Sequence, residues 1–261
     1  MKNALIFIFI CFIQRIYASE YVVNECALHT DARDLSLGGL LCDYESAESN
    51  EMALTCLIPF QLKDLSVRKV EYSKNAFALE WQLNWYQSGN SDWMENNVGL
   101  HVGKKLSDQL YIGVSTNLLL VENAEAGLAS TCFAELDGRF SISEKLMVGI
   151  RMINPVGARI KYADAYIPLS SSAHLGAQLS PTSKSRIFIE MTGQLHQPIR
   201  GRTGLEYALY ESIILRTGLS TNPLMPSWGI GGTMNRFHYS WGGNLHQILG
   251  FSNGFTLTYH W

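Results

Sequence analysis

Gly254-Phe255-Thr256-Leu257-Thr258-Tyr259-His260-Trp261 closes the chain. Phe255, Leu257, Tyr259 and Trp261 occupy alternate positions, with Gly254, Thr256, Thr258 and His260 between them. Successive side chains of a strand point to opposite faces, so this segment reads as a strand with one apolar and one polar side. Residues 76–86 repeat the pattern. There Phe77, Leu79, Trp81, Leu83 and Trp85 interleave with Ala76, Ala78, Glu80, Gln82, Asn84 and Tyr86.

The alternation continues between these two stretches. Leu110, Ile112, Val114, Thr116, Leu118 and Leu120 alternate with Tyr111, Gly113, Ser115, Asn117 and Leu119. Ala134, Leu136, Phe140 and Ile142 oppose Glu135, Asp137, Arg139 and Ser141. Ile187, Ile189 and Met191 stand against Glu190 and Thr192, and Leu205, Tyr207 and Leu209 against Glu206. Polar or Pro-containing connectors, such as Ser88-Gly89-Asn90 and Ser180-Pro181-Thr182-Ser183, separate the segments. No helical period competes, and no stretch after the N-terminus is apolar enough for a spanning helix.

Two-faced strands joined by turns predict an all-β, antiparallel, up-and-down transmembrane β-barrel with lipid outside and a polar lumen. The segments number about ten from residue 76, with two more at Met52–Phe60 and Val67–Ser73. Barrels of this kind have even strand numbers, so the expectation is about 12 strands, within 10–14. The polar face carries Glu80, Gln82, Glu135, Asp137, Arg139, Arg151, Glu190, Gln194, Glu206 and Arg216, a mixed-charge set that suits a solvated lumen. Trp85, Trp93, Tyr111, Trp228 and Trp261 are expected to form aromatic girdles. A soluble β-sandwich or lipocalin-like barrel would alternate too, but its charged face would not be enclosed.

The N-terminus reads as an export signal: Lys2, an apolar run from Ala4 to Ile13, and a small-residue cleavage site at Ile16-Tyr17-Ala18. Residues 1–18 are then a signal peptide, 19–50 a less regular segment that plugs the lumen or lies on its periplasmic side, and 51–261 the barrel. Cys26, Cys42, Cys56 and Cys132 would remain after cleavage. Export permits disulfides among them, and free thiols are the competing reading.

Net charge is −3 with no basic stripe, so nucleic-acid binding has no electrostatic support. No Gly-x-Ser-x-Gly elbow occurs, and no nucleophile–base pair can be assigned, so no enzyme, catalytic residue, metal or cofactor is expected. His238 and His260 fall on the inward face of the last strands, where two polar lumen residues are the simpler reading than a metal site. Gly103, Gly113, Gly149, Gly176, Gly204, Gly218, Gly231 and Gly242 keep the inner face small, either for a conduit or to relieve curvature.

Several short pieces resemble a known family. They are Gly103-Lys104-Lys105-Leu106, Ile153-Asn154-Pro155-Val156-Gly157-Ala158-Arg159, Gly218-Leu219-Ser220-Thr221-Asn222-Pro223 and His246-Gln247-Ile248-Leu249-Gly250, with Ala32-Arg33 and Leu37-Gly38-Gly39 near the start. Their order is similar to that in the Bacteroidota outer-membrane barrels related to PorV and PorQ of type IX secretion, and more distantly to the FadL fatty-acid transporters. The family's Asn-Pro-Ala-Gly-Leu stretch is replaced by Asn50-Glu51-Met52-Ala53-Leu54. The resemblance implies an accessory or docking component of a secretion or surface-protein complex, with loops such as Asn154 to Leu169 making contacts. FadL-like transport of a hydrophobic or small solute is the alternative. It also implies outer-membrane lipids as surroundings, a secretion-complex or cargo protein as partner, and recognition of Phe255, Leu257, Tyr259 and Trp261 by the barrel-assembly machinery.

Overall fold

The computed structural model describes residues 30–42, 50–124, 127–162, 165–194 and 197–261. The expected signal peptide, Cys26, His29 and His196 lie outside them. A short helix, α1 (Ala32–Ser36), precedes β1 (Glu51–Ile58), β2 (Val67–Ala76), β3 (Leu79–Gly89), β4 (Trp93–Lys105), β5 (Leu110–Asn123), β6 (Gly127–Ser143) and β7 (Leu146–Ile153). A small hairpin of β8 (Arg159–Tyr162) and β9 (Ala165–Pro168) follows. Then come β10 (Ser172–Thr182), β11 (Ser185–Gln194), β12 (Arg200–Tyr210), β13 (Ile213–Ser220), β14 (Met225–Met234), β15 (Phe237–His246) and β16 (Gly250–His260).

All strands except β8 and β9 form one closed antiparallel barrel of fourteen, so the expectation of about 12 strands is corrected to 14. Closure is made by β1 against β16, from Glu51↔His260 to Ile58↔Asn253. Pairing the first strand with the last leaves no open sheet edge. The short count has a local cause. β14 carries Pro226, Gly229, Gly231 and Gly232, so its alternation is hidden.

The period-2 pattern sets which side faces out. On β5, Leu110, Ile112, Val114 and Leu118 are exposed on the outer face, while Tyr111, Gly113, Ser115, Asn117 and Leu119 are buried inside. Leu136, Ile189, Leu205 and Phe255 continue the apolar belt. A continuous apolar exterior on a closed barrel is the surface that lipid covers. Two residues depart from the reading of the sequence. Tyr111 points into the lumen rather than joining a girdle. Phe77 leaves the strand face altogether: Phe77 and Ala78 form a two-residue turn, both at φ near +58, with Phe77 94% exposed. Paired positive φ matches the twist of the flanking strands.

The barrel ends differ. One has the tight turns Phe77-Ala78, Glu144-Lys145, Ser183-Lys184, Glu211-Ser212 and Asn235-Arg236, together with Trp261. The other carries longer connections, among them residues 59–66 and 154–171. These are the turn end and the loop end below.

Candidate functional site

The lumen is occupied by the chain's own residues 30–42. Asp31 caps α1, its Oδ1 accepting from Asp34 N at 2.7 Å. Gly38 and Gly39 end the turn at φ +93 and +74, a backbone that favours glycine. The segment then crosses from β16 to β11, bonded to the wall as it goes. Ala32 N donates to Thr256 Oγ1 at 3.0 Å, and Ser227 Oγ donates to Ser36 O at 3.0 Å. Arg33 Nε donates to Glu206 Oε2 at 3.0 Å. Leu41 N and Cys42 N donate to Glu190 Oε2 at 3.0 and 2.8 Å.

Glycines on the inner wall let this segment approach. A Cβ on Gly218 would collide with the backbone of Leu37 and Gly38, and one on Gly204 would lie 2.8 Å from Leu37 O. Gly229 and Gly242 face Ser36 and Ala32 in the same way. Gly204, Gly218 and Gly242 therefore serve as the seat of the plug. Gly231 makes room instead for the Arg216 guanidinium, and Gly113 for His101 and Asp137.

Two glutamates organise the charges around the plug. Glu190 is fully buried and also accepts from Arg202 Nη1 at 2.8 Å, with His174 Nδ1 3.8 Å away. Arg202 Nη1 is shared with Thr192 Oγ1. Glu206 accepts from Arg216 Nε at 2.8 Å and pairs with Arg186 Nη1 at 3.2 Å. Charges held this deeply need such partners.

The other predicted lumen residues lie on the opposite wall. Glu135 accepts from Asn117 Nδ2 at 2.7 Å. Asp137 lies 3.5 Å from His101 Nδ1 and faces Arg151 in register. Arg139 stacks on the Tyr111 ring at 3.9 Å and reaches Glu80 at 4.0 Å. Gln82 Nε2 donates to Glu71 Oε1 at 3.1 Å, and Lys69 pairs with Glu71 at 3.0 Å. Nine of the ten predicted residues thus form two groups, one around Glu190, Glu206 and Arg216 and one on β2–β7, with a polar cavity of about 450 Å³ between plug, wall and turn end; Gln194 lies apart, at the end of β11. Lys69, His101, Asn117 and Arg33 belong to the same network. The inward position of Lys69, His101 and Asn117 follows from the alternation, whereas Arg33 is carried in by the plug, and the pairing of all four needs strands brought together by closure.

The loop-end half of the lumen has the opposite character. Leu57, Val67, Tyr86, Leu119, Val121 and Phe133 pack there with Leu35 of the plug and with Ile160, Ile167 and Leu169 of the β8–β9 connection. Asn154, buried at φ +52, ties that connection down: its Nδ2 donates to Leu169 O at 3.0 Å and its Oδ1 accepts from Ala158 N at 2.8 Å. The 154–169 loop therefore turns part of its surface inward, leaving Val156 and Tyr166 exposed.

His238 and His260 do meet, with ring centroids 4.3 Å apart and His260 Nδ1 3.3 Å from Glu51 Oε2. Among the described residues no three His, Cys, Asp or Glu side chains converge as a metal requires. Cys56 and Cys132 are free thiols exposed on the outer face, and Cys42 is buried in the plug. Of the C-terminal aromatics, Phe255 and Trp261 are exposed, and Tyr259 packs between Phe237 at 5.1 Å and Trp261 at 5.9 Å.

No family model and no curated protein matches this chain. Solved structures do. The fold is similar to the Pseudomonas putida toluene transporter TodX, with TM-score 0.60 and 9% identity over 92% of this chain and 96% of that one. It is similar to the CymD monoaromatic hydrocarbon channel, with TM-score 0.64 and 10% identity over 90% and 98%. The Ralstonia pickettii toluene transporter TbuX matches with TM-score 0.60 and 8% identity over 89% and 98%. At these identities the likeness is one of fold.

Proposed function

We propose that the chain is an outer-membrane channel for small hydrophobic solutes, held shut by its own N-terminal segment. One observation carries this reading: an internal plug latched to Glu190 and Glu206 separates an apolar loop-end lumen from a polar turn-end cavity. A general diffusion pore has no use for an apolar mouth closed by its own loop and plug, and a solid scaffold has no use for a cavity. The similar folds described as toluene transporters and a monoaromatic hydrocarbon channel support the same solute class. By the usual pattern of short periplasmic turns and longer outer loops, the plug and polar cavity face the periplasm. Lipid surrounds the outer belt, and the outward row ending in Trp261 is the segment we assign to recognition by the assembly machinery.

A PorV/PorQ-like docking role ranks second. Nothing in the similar folds favours it, and the loop expected to make contacts is partly folded into the mouth. Purification in mild detergent, with bound proteins and small molecules both identified by mass spectrometry, separates the two. A monomer that carries a hydrophobic compound, and that raises toluene uptake when placed in vesicles, supports transport. A stoichiometric protein partner with no effect on uptake would sink the transport reading in favour of docking.

A further inference from the structure

Among the described residues, Tyr86 and Asn97 in the loop-end lumen each keep a buried polar atom without a hydrogen-bond partner. Tyr86 is 1% exposed and Asn97 is fully buried. They are register partners on β3 and β4, so their side chains share one patch of inner wall. Neither the Tyr86 hydroxyl nor Asn97 Oδ1 has a hydrogen-bond partner. The orientation of the amide is fixed by its neighbours. Glu135 can only accept, so Asn117 Nδ2 donates to it at 2.7 Å, and Asn97 Nδ2 donates to Asn117 Oδ1 at 3.0 Å. Asn97 Oδ1 is thereby left as an acceptor facing away from the ladder.

Leaving buried polar atoms unpaired opposes folding, and native structures rarely keep them without a use. Tyr86 belongs to the apolar cluster with Leu119, Val121 and Phe133, and the Glu95 and Glu135 carboxylates lie on the polar side of the same patch. One water could bridge the two atoms, but a hydroxyl on an apolar body satisfies them and covers the apolar cluster as well. Such a hydroxyl accepts from Tyr86 and donates to Asn97 while its body lies against the apolar cluster. Ile160 and Leu169 of the β8–β9 connection pack in the same cluster.

Resting on the hydrophobic-channel reading, we propose that Tyr86 and Asn97 form a specificity site for aromatic compounds bearing one hydroxyl, such as alkylphenols. Ligands of this class are held at the junction between the apolar vestibule and the asparagine ladder that leads to the polar cavity, which Asn84 and Asn117 line. The Tyr86–Asn97 pair acts as a selector, and the apolar wall supplies the general attraction.

The test compares p-cresol with p-xylene, which differ by a hydroxyl in place of a methyl. Binding of each to the full-length purified barrel is measured by equilibrium dialysis against detergent-only blanks, for wild type, Tyr86→Phe and Asn97→Leu. The expected result is a preference for p-cresol of about tenfold in the wild type, the scale of one net hydrogen bond. Both variants should bring the ratio near one. Equal binding of the two ligands by wild type, or a preference that survives in Tyr86→Phe, overturns the selector and leaves the channel reading standing. Binding of neither ligand overturns the channel reading and the selector with it. Should Asn97→Leu fail to fold, Tyr86→Phe alone decides, since it removes one oxygen and keeps the ring.

Discussion

Replacing Glu190 by alanine removes the carboxylate that receives Leu41 N at 3.0 Å, Cys42 N at 2.8 Å and Arg202 Nη1 at 2.8 Å. Hydrogen bonds to a charged group contribute about 1.5–3 kcal/mol each, so the two bonds to the plug amount to about 3–6 kcal/mol of docking. The contacts of Arg33, Ala32 and Ser36 remain, so the plug stays mostly docked. At about 1.4 kcal/mol per tenfold, the undocked population rises by about 10²–10⁴. Cys42 reports this directly, because it is buried in the docked plug. In a background with the other four cysteines changed to serine, the rate of labelling by a water-soluble maleimide should rise by that factor. The alanine also strands the Arg202 cation, 4% exposed, which destabilises the wall itself. The double variant Glu190→Ala with Arg202→Met removes that complication and should label as fast. A barrel that keeps its folded, heat-modifiable migration yet labels Cys42 within about twofold of the wild-type rate would refute the latch.

Three other outcomes follow from the geometry. Gly218→Val should expel the plug and speed Cys42 labelling, because its Cβ meets the Leu37 and Gly38 backbone and overpacking costs about 1–3 kcal/mol; Gly138→Ala, whose nearest neighbour would be 3.5 Å away, should leave labelling unchanged. Val114→Arg puts a cation on the exposed outer face midway along β5 and should lower stability by about 2–4 kcal/mol in urea titrations of vesicle-inserted protein, whereas a soluble barrel would tolerate it. Asn154→Ala removes the side-chain bonds to Leu169 O, Ser170 O and Ala158 N, each about 0.5–1.5 kcal/mol. Hydrogen exchange of the Leu169 amide, bonded to Ala158 O at 2.9 Å, should then accelerate at least about tenfold.

Much of the wall was legible because a strand's facing repeats every two residues, and that period is local. Glu135 and Leu136, or Glu190 and Met191, are assigned to opposite faces by their neighbours alone. The turn chemistry was less legible. Phe77 sits at positive φ, where an aromatic is not expected, so the pattern carried it into the strand. β14 was obscured by residues the wall needs for another purpose, since Gly229 gives way to Ser36 and Gly231 to Arg216. Tyr111 shows the limit of composition: an aromatic near a strand end reads as a girdle, and only the alternation along β5 turns it inward to His101.

The local pattern alone determined that this is a two-faced antiparallel sheet with charges on the enclosed side. The strand number, the pairing of β1 with β16, and the partners of those charges were decided by closure, which joins residues as distant as Thr55 and Thr256. Only the tertiary structure put residues 30–42 inside the lumen. A short segment broken by Gly38-Gly39 carries no sustained period of its own, and its place is set by the glycines and two glutamates that it meets on strands more than a hundred residues away.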